Sequence, residues 1–182
     1  MNRIARVVLV FRELRSAVHR DLLRAKPGAS IGLVSVGWYL VSEPGIATIL
    51  LLRIQQTASS LGRHRLARLL YMHNVRRTGA EFAPGCQIGP GLIVKHPVGI
   101  VVSGNAVIGT DCTLMQNVTI GETLRPGDGP CAPIVGNGVL IGASASVLGA
   151  VRVGHGARIG ANSVILRDVE PGATAVGSHA RS

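Results

Sequence analysis

The sequence predicts an α+β fold in which an N-terminal helical segment precedes a β-solenoid built from six-residue repeats. Aliphatic residues recur at a strict interval of six near the C-terminus, and glycine follows four of them. A period of six fits neither a helix nor a plain strand, but it fits a solenoid in which three short strands form each coil. The six residues are Val135, Ile141, Val147, Val153, Ile159 and Ile165.

A change of composition near residue 79 divides the chain. The amphipathic stretch Ile4–Arg24 ends at Lys26-Pro27-Gly28, and Ile46–Ser59 and Arg63–Arg76 are further helical candidates. After Gly79, glycines and β-branched residues dominate. We therefore expect a helical region over residues 1–78 and the solenoid over residues 79–182.

The repeats form two blocks that are out of phase with each other. In the first block a spacing of six leads to Ile120, and the second block starts at Val135, fifteen residues later. Because fifteen is not a multiple of six, the coil must be broken between them. The intervening residues 121–133 are rich in glycine and proline, which predicts a loop that leaves the solenoid and is suited to carry function.

Composition limits the class of protein. The 182 residues include 24 glycines but only one Trp, two Tyr and two Phe, so we expect a narrow aliphatic core. A formal net charge of +10 favours a polyanionic partner such as an anionic lipid or a phosphorylated cofactor. Nucleic acid is disfavoured because no stacking aromatics lie among the basic residues. Three cysteines without a CxxC pair predict neither a disulfide framework nor a zinc knuckle, and favour a cytoplasmic setting.

We expect no membrane-spanning segment. The apolar stretches Ile31–Val41 and Ile46–Leu52 are separated by Glu43-Pro44-Gly45, and neither reaches the roughly 20 residues that a spanning helix needs. Charged residues follow Val7–Phe11 too closely for a signal-peptide core. Peripheral membrane association through the basic N-terminus stays open beside the alternative of a solvated helix face.

Several motifs of the second half recur in a known family. They are Ile88–Leu92, Lys95–Val102, Val118–Gly121, Val139–Ala143, Ala157–Val164 and the ending Val176–Arg181. In these motifs residues 80–181 resemble the hexapeptide-repeat acyltransferases, in particular the serine acetyltransferase branch. The resemblance implies a left-handed parallel β-helix and an O-acetyltransferase that uses acetyl-CoA. It also implies a homotrimer, or a dimer of trimers, and no metal.

His96 is the candidate general base. A hydroxyl is a poor nucleophile at neutral pH, so it needs a base as it attacks the thioester, and imidazole titrates near the working pH. The resemblance places His96 where the family carries this histidine; a structural or inter-subunit histidine is the alternative. His19, His64 and His73 fall on basic helices and His155 falls at a coil corner, so none of them has comparable support.

Three departures from the family pattern bear on the acceptor. Lys95 replaces an acidic residue, while Cys131 and Ala132 replace an Arg-His pair that holds serine in the family. The stretch Cys131–Gly136 instead resembles relatives that modify sugars and exopolysaccharides. We therefore expect a sugar or saccharide hydroxyl as the acceptor, with serine O-acetylation in cysteine biosynthesis as the alternative. A non-catalytic trimeric scaffold is a further alternative.

Candidate binding residues come partly from the resemblance and partly from polar residues of the loop. For the acceptor these are Lys95, Glu122, Asp128 and Cys131, with Glu43 as a further carboxylate in the helical region. Direct transfer is expected rather than a covalent intermediate on Cys131, because no histidine is near it in sequence to activate the thiol. For acetyl-CoA, in a groove between subunits, the candidates are Gly142, Ala143, Arg158, Gly160, Ala161, Arg167 and Arg181.

A metal-dependent hydratase on the same type of fold is the last alternative. The γ-class carbonic anhydrases need three histidines that converge on one zinc ion. After residue 80 the chain has only His96, His155 and His179, and their spacing does not match. We therefore expect no metal site.

Overall fold

Four helices occupy the N-terminal part of the chain. The structure, a computed structural model, describes residues 3–28, 32–123 and 132–177. The helices are α1 (Arg3–Ala25), α2 (Leu33–Ser42), α3 (Pro44–Ser60) and α4 (His64–Thr78). Proline at the first position of α3 has no N–H to leave unpaired, and Gly79 ends α4 with a φ of 73°.

Helix α2 is the element that the sequence analysis did not predict as a helix. Its residues carry no charge, so the polar face that marks an amphipathic helix is missing. Among the described helices none is by itself long and apolar enough to cross a membrane. Helices α2 and α3 meet that criterion only as a pair, and the pair is bent by 116°.

Within the described residues, fourteen strands of two or three residues form three parallel sheets, and each full coil visits the three in turn. The first sheet contains β1 (Glu81–Phe82), β4 (Val101–Val102), β7 (Thr119–Gly121), β10 (Ser146–Leu148) and β13 (Val164–Ile165). The second contains β2 (Gln87–Ile88), β5 (Val107–Ile108), β8 (Ile134–Val135) and β11 (Arg152–Val153). The third contains β3 (Ile93–Val94), β6 (Thr113–Leu114), β9 (Leu140–Ile141), β12 (Arg158–Ile159) and β14 (Thr174–Ala175).

The six-residue period is confirmed as the inward-facing position of the strands, because all six residues of the C-terminal series are buried in one core. Glycine follows four of these inward-facing residues because the chain turns a corner there, directly above the next coil. A Cβ on Gly142 would lie 2.7 Å from the backbone nitrogen of Ala161, and one on Gly136 would lie 2.8 Å from that of His155. Only glycine fits such close backbone approaches.

Helix α3 closes the first coil of the solenoid. Ile49 and Leu52 belong to the same buried cluster as the strand residues, so helices and solenoid share one core. Arg53, on the same helix, is buried and donates to the carbonyl oxygens of Ile88 (2.6 Å) and Gly89 (2.7 Å). Its guanidinium also pairs with the buried carboxylate of Asp21 on α1. The helices are thus fixed to the coil that precedes His96.

Candidate active site

His96 lies on a solenoid corner that is longer than the equivalent corners below it. Eight residues separate Val94 from Val102 across this corner, whereas six separate Leu114 from Ile120 in the next coil. The two additional residues make the turn project from the coil, so Lys95 and His96 are both exposed. His96 therefore stands where the regular six-residue spacing of the early coils is interrupted.

The turn after His96 is held by backbone contacts on both sides. The N–H of Gly99 donates to the carbonyl of Gly79 (3.0 Å), and the N–H of Asn117 donates to the carbonyl of Val98 (3.0 Å). Gly99 has a φ of 73°, and a Cβ there would collide with the side-chain oxygen of Asn117. Glycine is therefore required at this position, and the segment that carries His96 has a fixed path.

A pocket of about 590 Å³ opens between this corner and the helices. Its wall is formed by residues 25–26, 43–46, 77–78 and 93–98. The first turn of α3 is in close contact with the corner, because a Cβ on Gly45 would collide with the carbonyl oxygen of Val94. Glu43, directly before α3, and His96 therefore line one cavity although they are far apart in sequence.

The pocket carries more positive than negative charge. Lys26, Arg77 and Lys95 line it together with one carboxylate, Glu43. The Lys26 ammonium donates to Glu43 (2.5 Å), and this hydrogen bond raises the pKa of Lys26 above its ordinary value. Lys95 forms no ion pair with any residue that the structure describes. Its ammonium can therefore pair with an anionic group of a ligand.

The predicted cofactor positions follow His96 along one edge of the solenoid. In the strand register Val94, Leu114, Ile141 and Ile159 stack, so the corner that carries His96 belongs to the same row as the corners that carry Ala143 and Ala161. Three strand spacings separate Val94 from Ile159, which is about 14 Å. Gly142 and Gly160 stack beside them on the same edge, and the exposed Arg158 lies on the strand just before it.

Other predicted residues lie at a different corner of the same chain. Glu122 follows β7 at the junction of the first and second sheets, where its carboxylate accepts a hydrogen bond from the N–H of Asn105 (3.2 Å). Arg167 follows β13 at the equivalent junction and is exposed. Within one chain Glu122 and Arg167 therefore lie at a different corner from His96, and neither lines its pocket. Asp128, Cys131 and Arg181 lie outside the described residues.

The other histidines that the structure describes do not line this pocket, and His179 lies outside the described residues. His19, His64 and His73 are exposed on α1 and α4, as predicted. His155 is at a coil corner, where its Nδ1 accepts a hydrogen bond from the N–H of Asn137 (2.9 Å). Within residues 3–28, 32–123 and 132–177, no three His, Cys, Asp or Glu side chains come together as metal ligands would.

Sequence reasoning missed two residues of the pocket and gave little weight to a third. Lys26 was considered only as part of the Lys26-Pro27-Gly28 helix end, Arg77 was not singled out, and Glu43 was only a candidate carboxylate. The signal that could have found Glu43 is local: an acidic residue directly before a helix that starts with Pro44-Gly45. Lys26 and Arg77 reach the pocket through tertiary packing and have no such signal.

Comparison with known proteins identifies the family. Residues 132–167 match the model of the bacterial transferase hexapeptide (six repeats). The chain is 40% identical over 143 residues to a serine acetyltransferase of Helicobacter pylori, covering 79% of this chain and 83% of the relative. It belongs to the serine acetyltransferase family. A serine acetyltransferase of Mycobacterium tuberculosis is 34% identical over 91% of this chain and 68% of its own length.

Solved structures of the family have the same fold. Soybean serine acetyltransferase, complexed with serine, has a TM-score of 0.81 and 35% identity, covering 93% of this chain and 69% of that one. The enzyme of Neisseria gonorrhoeae in complex with serine has a TM-score of 0.79 and 31% identity, covering 97% and 71%. The solenoid is thus the left-handed β-helix of these acetyltransferases, and the chain is an O-acetyltransferase rather than a scaffold.

The comparisons do not support the acceptor expected from the loop. A sugar or saccharide was predicted from Lys95, Cys131 and Ala132, whereas the relatives are serine acetyltransferases. They favour the alternative reading. The prediction considered each departure from the family pattern separately, and it did not place Glu43 in the same pocket as Lys95.

Proposed function

We propose that the protein transfers the acetyl group of acetyl-CoA to the side-chain hydroxyl of L-serine. The observation that carries this proposal is the pocket in which His96 lies with one carboxylate, Glu43, and one ammonium without an ion-pair partner among the described residues, Lys95. L-Serine is a zwitterion, so a site for it needs an anion for the α-ammonium and a cation for the carboxylate. Membership of the serine acetyltransferase family supports the same acceptor.

The charges of this pocket take the place of family residues that the chain lacks. Where the family has an acid beside the base and an arginine in the loop, this chain has Lys95 and Cys131. In the proposed complex Lys95 binds the serine carboxylate and Glu43 binds the α-ammonium. Glu43 already binds the ammonium of Lys26, so the substrate ammonium either shares this carboxylate or displaces Lys26 from it.

Catalysis then follows from the position of His96. Its imidazole removes the proton of the serine hydroxyl as the oxygen attacks the thioester carbonyl carbon of acetyl-CoA. The tetrahedral oxyanion collapses with cleavage of the carbon–sulfur bond, and the imidazolium returns the proton to the departing CoA thiolate. The products are O-acetyl-L-serine and CoA. Backbone N–H groups stabilise the oxyanion in this scheme, as in other acyl transfers.

The co-substrate is proposed to lie along the edge below His96, in a cytoplasmic homotrimer. Small residues at Gly142, Ala143, Gly160 and Ala161 leave room for a long ligand to follow the stacked corners, and Arg158 is the adjacent cation. In such a trimer neighbouring subunits could bring Glu122 and Arg167 to His96.

The test measures CoA release from acetyl-CoA with L-serine, serinamide and a panel of sugars as acceptors. Wild type is compared with His96→Ala and with His73→Ala, a matched control for an exposed histidine on α4. We expect turnover with L-serine that His96→Ala lowers about 10²–10⁴-fold, as expected for loss of a general base. His73→Ala should leave the rate unchanged.

Each contrary outcome contradicts a different part of the proposal. Full activity of His96→Ala would remove the general base. Turnover with a sugar but not with L-serine would overturn the acceptor and leave the acetyl transfer intact. Serinamide lacks the carboxylate, so a KM equal to that of L-serine would contradict the role of Lys95.

A further inference from the structure

The net charge of the chain resides entirely in its helical part. Residues 1–79 contain 13 of the 19 Lys and Arg residues and three of the nine acids, so they carry the whole +10. Residues 80–182 contain six of each and are neutral. Cations distributed evenly over the chain would only favour solubility. Their concentration in residues 1–79 instead gives the helical part of the molecule a strong positive field.

Few of the helical cations are neutralised by pairing. Asp21 pairs with Arg53, Glu43 pairs with Lys26, and Asp111 on the solenoid pairs with Arg20 and Arg24. Other arginines on α1, on α4 and directly before α4 form no ion pair with any described residue. They are Arg6, Arg12, Arg15, Arg63, Arg65, Arg68, Arg76 and Arg77.

Helix α2 exposes an uncharged apolar face at this basic end. Val36, Tyr39 and Leu40 face inward, against the cluster of Leu22, Ile46 and Leu50. The opposite side exposes Val34 (89%), Trp38 (67%) and Val41 (74%), which the helical period places on one face. We call these three residues the outer face of α2.

Two cations contact α2 at its inward-facing residues, and no charged residue of α2 interrupts the outer face. The ammonium of Lys26 lies 5.3 Å from the centre of the Tyr39 ring, and the Arg77 guanidinium donates to the carbonyl of Leu40 near the end of α2. An exposed apolar helix face with a tryptophan, in a helical region that holds 13 of the 19 Lys and Arg residues, is the pattern of a helix that lies in the interface of a lipid bilayer.

We propose that the outer face of α2 docks this enzyme on an anionic lipid bilayer. A second copy of the chain is a poorer occupant, because it would bring another strongly positive helical region against the first. A nucleic acid is also a poorer occupant, because the exposed valines offer nothing to a phosphate backbone. A bilayer with anionic headgroups satisfies the apolar face and the surrounding cations together.

The docked helix leads directly into the catalytic pocket. Glu43 ends α2 and precedes α3, and it lines the same cavity as His96. Docking would therefore hold the mouth of the pocket beside the membrane surface. The docking surface does not depend on which acceptor is used, since neither Val34, Trp38 nor Val41 lines the pocket.

Trp38 gives a direct test because it is the only tryptophan in the chain. Its fluorescence is followed as the full-length protein is titrated with vesicles of phosphatidylcholine alone or mixed with phosphatidylglycerol. We expect a shift to shorter wavelength with the anionic vesicles only, weakened by added salt. In Val34→Asp/Val41→Asp, which keeps the reporter, the partition coefficient should fall at least about tenfold.

Two controls separate docking from misfolding. Val164→Asp changes an exposed valine on the solenoid and should leave vesicle binding unchanged. Val34→Ser/Val41→Ser adds no charge, should keep the helical circular dichroism of the wild type, and should still weaken binding to the anionic vesicles.

Three results would overturn the proposal. The first is a Trp38 emission that the anionic vesicles do not shift. The second combines two observations: the Trp38 emission shifts with protein concentration in the absence of lipid, and Val34→Asp/Val41→Asp forms a smaller oligomer than the wild type. Together they would show that the outer face of α2 is a contact between copies of the chain. The third is vesicle binding that Val34→Asp/Val41→Asp leaves unchanged.

Discussion

Asp21→Ala should strongly destabilise the protein, because it removes one half of the buried ion pair that joins α1, α3 and the first coil. Asp21 and Arg53 are only 2% and 3% exposed, and two hydrogen bonds of 2.7 and 3.1 Å link them. The Asp21 carboxylate also accepts from the N–H groups of Gly91 (2.7 Å) and Leu92 (2.9 Å). The substitution leaves a guanidinium and two N–H groups without their acceptor.

The expected cost follows from that environment. Removing one partner of a buried ion pair costs about 3–5 kcal/mol, because the remaining charge has no access to water. Arg53 keeps its bonds to the carbonyls of Ile88 and Gly89, which favours the lower half of that range. Asp21→Ala/Arg53→Met removes both charges, so its cost should be less than the sum of the two single substitutions.

Urea unfolding followed by far-ultraviolet circular dichroism, at one fixed protein concentration, measures these costs. Glu13→Ala is the matched control, because Glu13 is an exposed carboxylate on the same helix with no ion-pair partner among the described residues. We expect it to change the free energy of unfolding by at most about 0.5 kcal/mol. A loss below about 1 kcal/mol for Asp21→Ala would refute the reasoning, since an exposed pair contributes that much.

Two further predictions concern the pocket wall and a buried thiol. Gly45→Ala should cost about 1–3 kcal/mol and raise the KM for the acceptor, because its Cβ would push α3 away from Val94. Gly37→Ala, whose Cβ would meet nothing within 4 Å, should instead stabilise α2 by about 0.5–1 kcal/mol; equal effects would contradict the packing argument. Burial raises the pKa of the Cys86 thiol to about 12, so stability should fall as pH rises above the ordinary value of 9.0, where only the unfolded chain loses this proton. Cys86→Ala should show a smaller fall in urea unfolding, and an unchanged slope would exclude the thiol as its source.

The sequence was sufficient for the solenoid because its pattern is local. An inward residue at every sixth position and a glycine at the corner are properties of a single coil, so Ile141 and Gly142 already reveal the geometry in the chain order. Helix α2 was missed for the opposite reason. Its outer and inner faces are both apolar, so no contrast along the sequence marks it as a helix.

The pocket was only half predictable. His96 could be found from the motif around it, but the charges that face it come from Lys26, Glu43 and Arg77, which reach it only through tertiary packing. The resulting prediction of the acceptor treated Lys95 as the loss of an acid. In the pocket the same residue adds a cation to the lining that contains Glu43. The sequence argument did not include this pairing, so it pointed away from a zwitterionic acceptor.

Helix α3 links stability to catalysis in this protein. Its middle fills the end of the solenoid core with Ile49 and Leu52, and Arg53 fixes it to the first coil. Its first turn at Gly45 then forms one wall of the pocket against the strand that precedes His96. The burial that holds α3 in place therefore also sets the separation of Glu43 and His96. A substitution that loosens α3 should weaken acceptor binding before it unfolds the solenoid, because the pocket depends on this one contact whereas the coils are held by every strand.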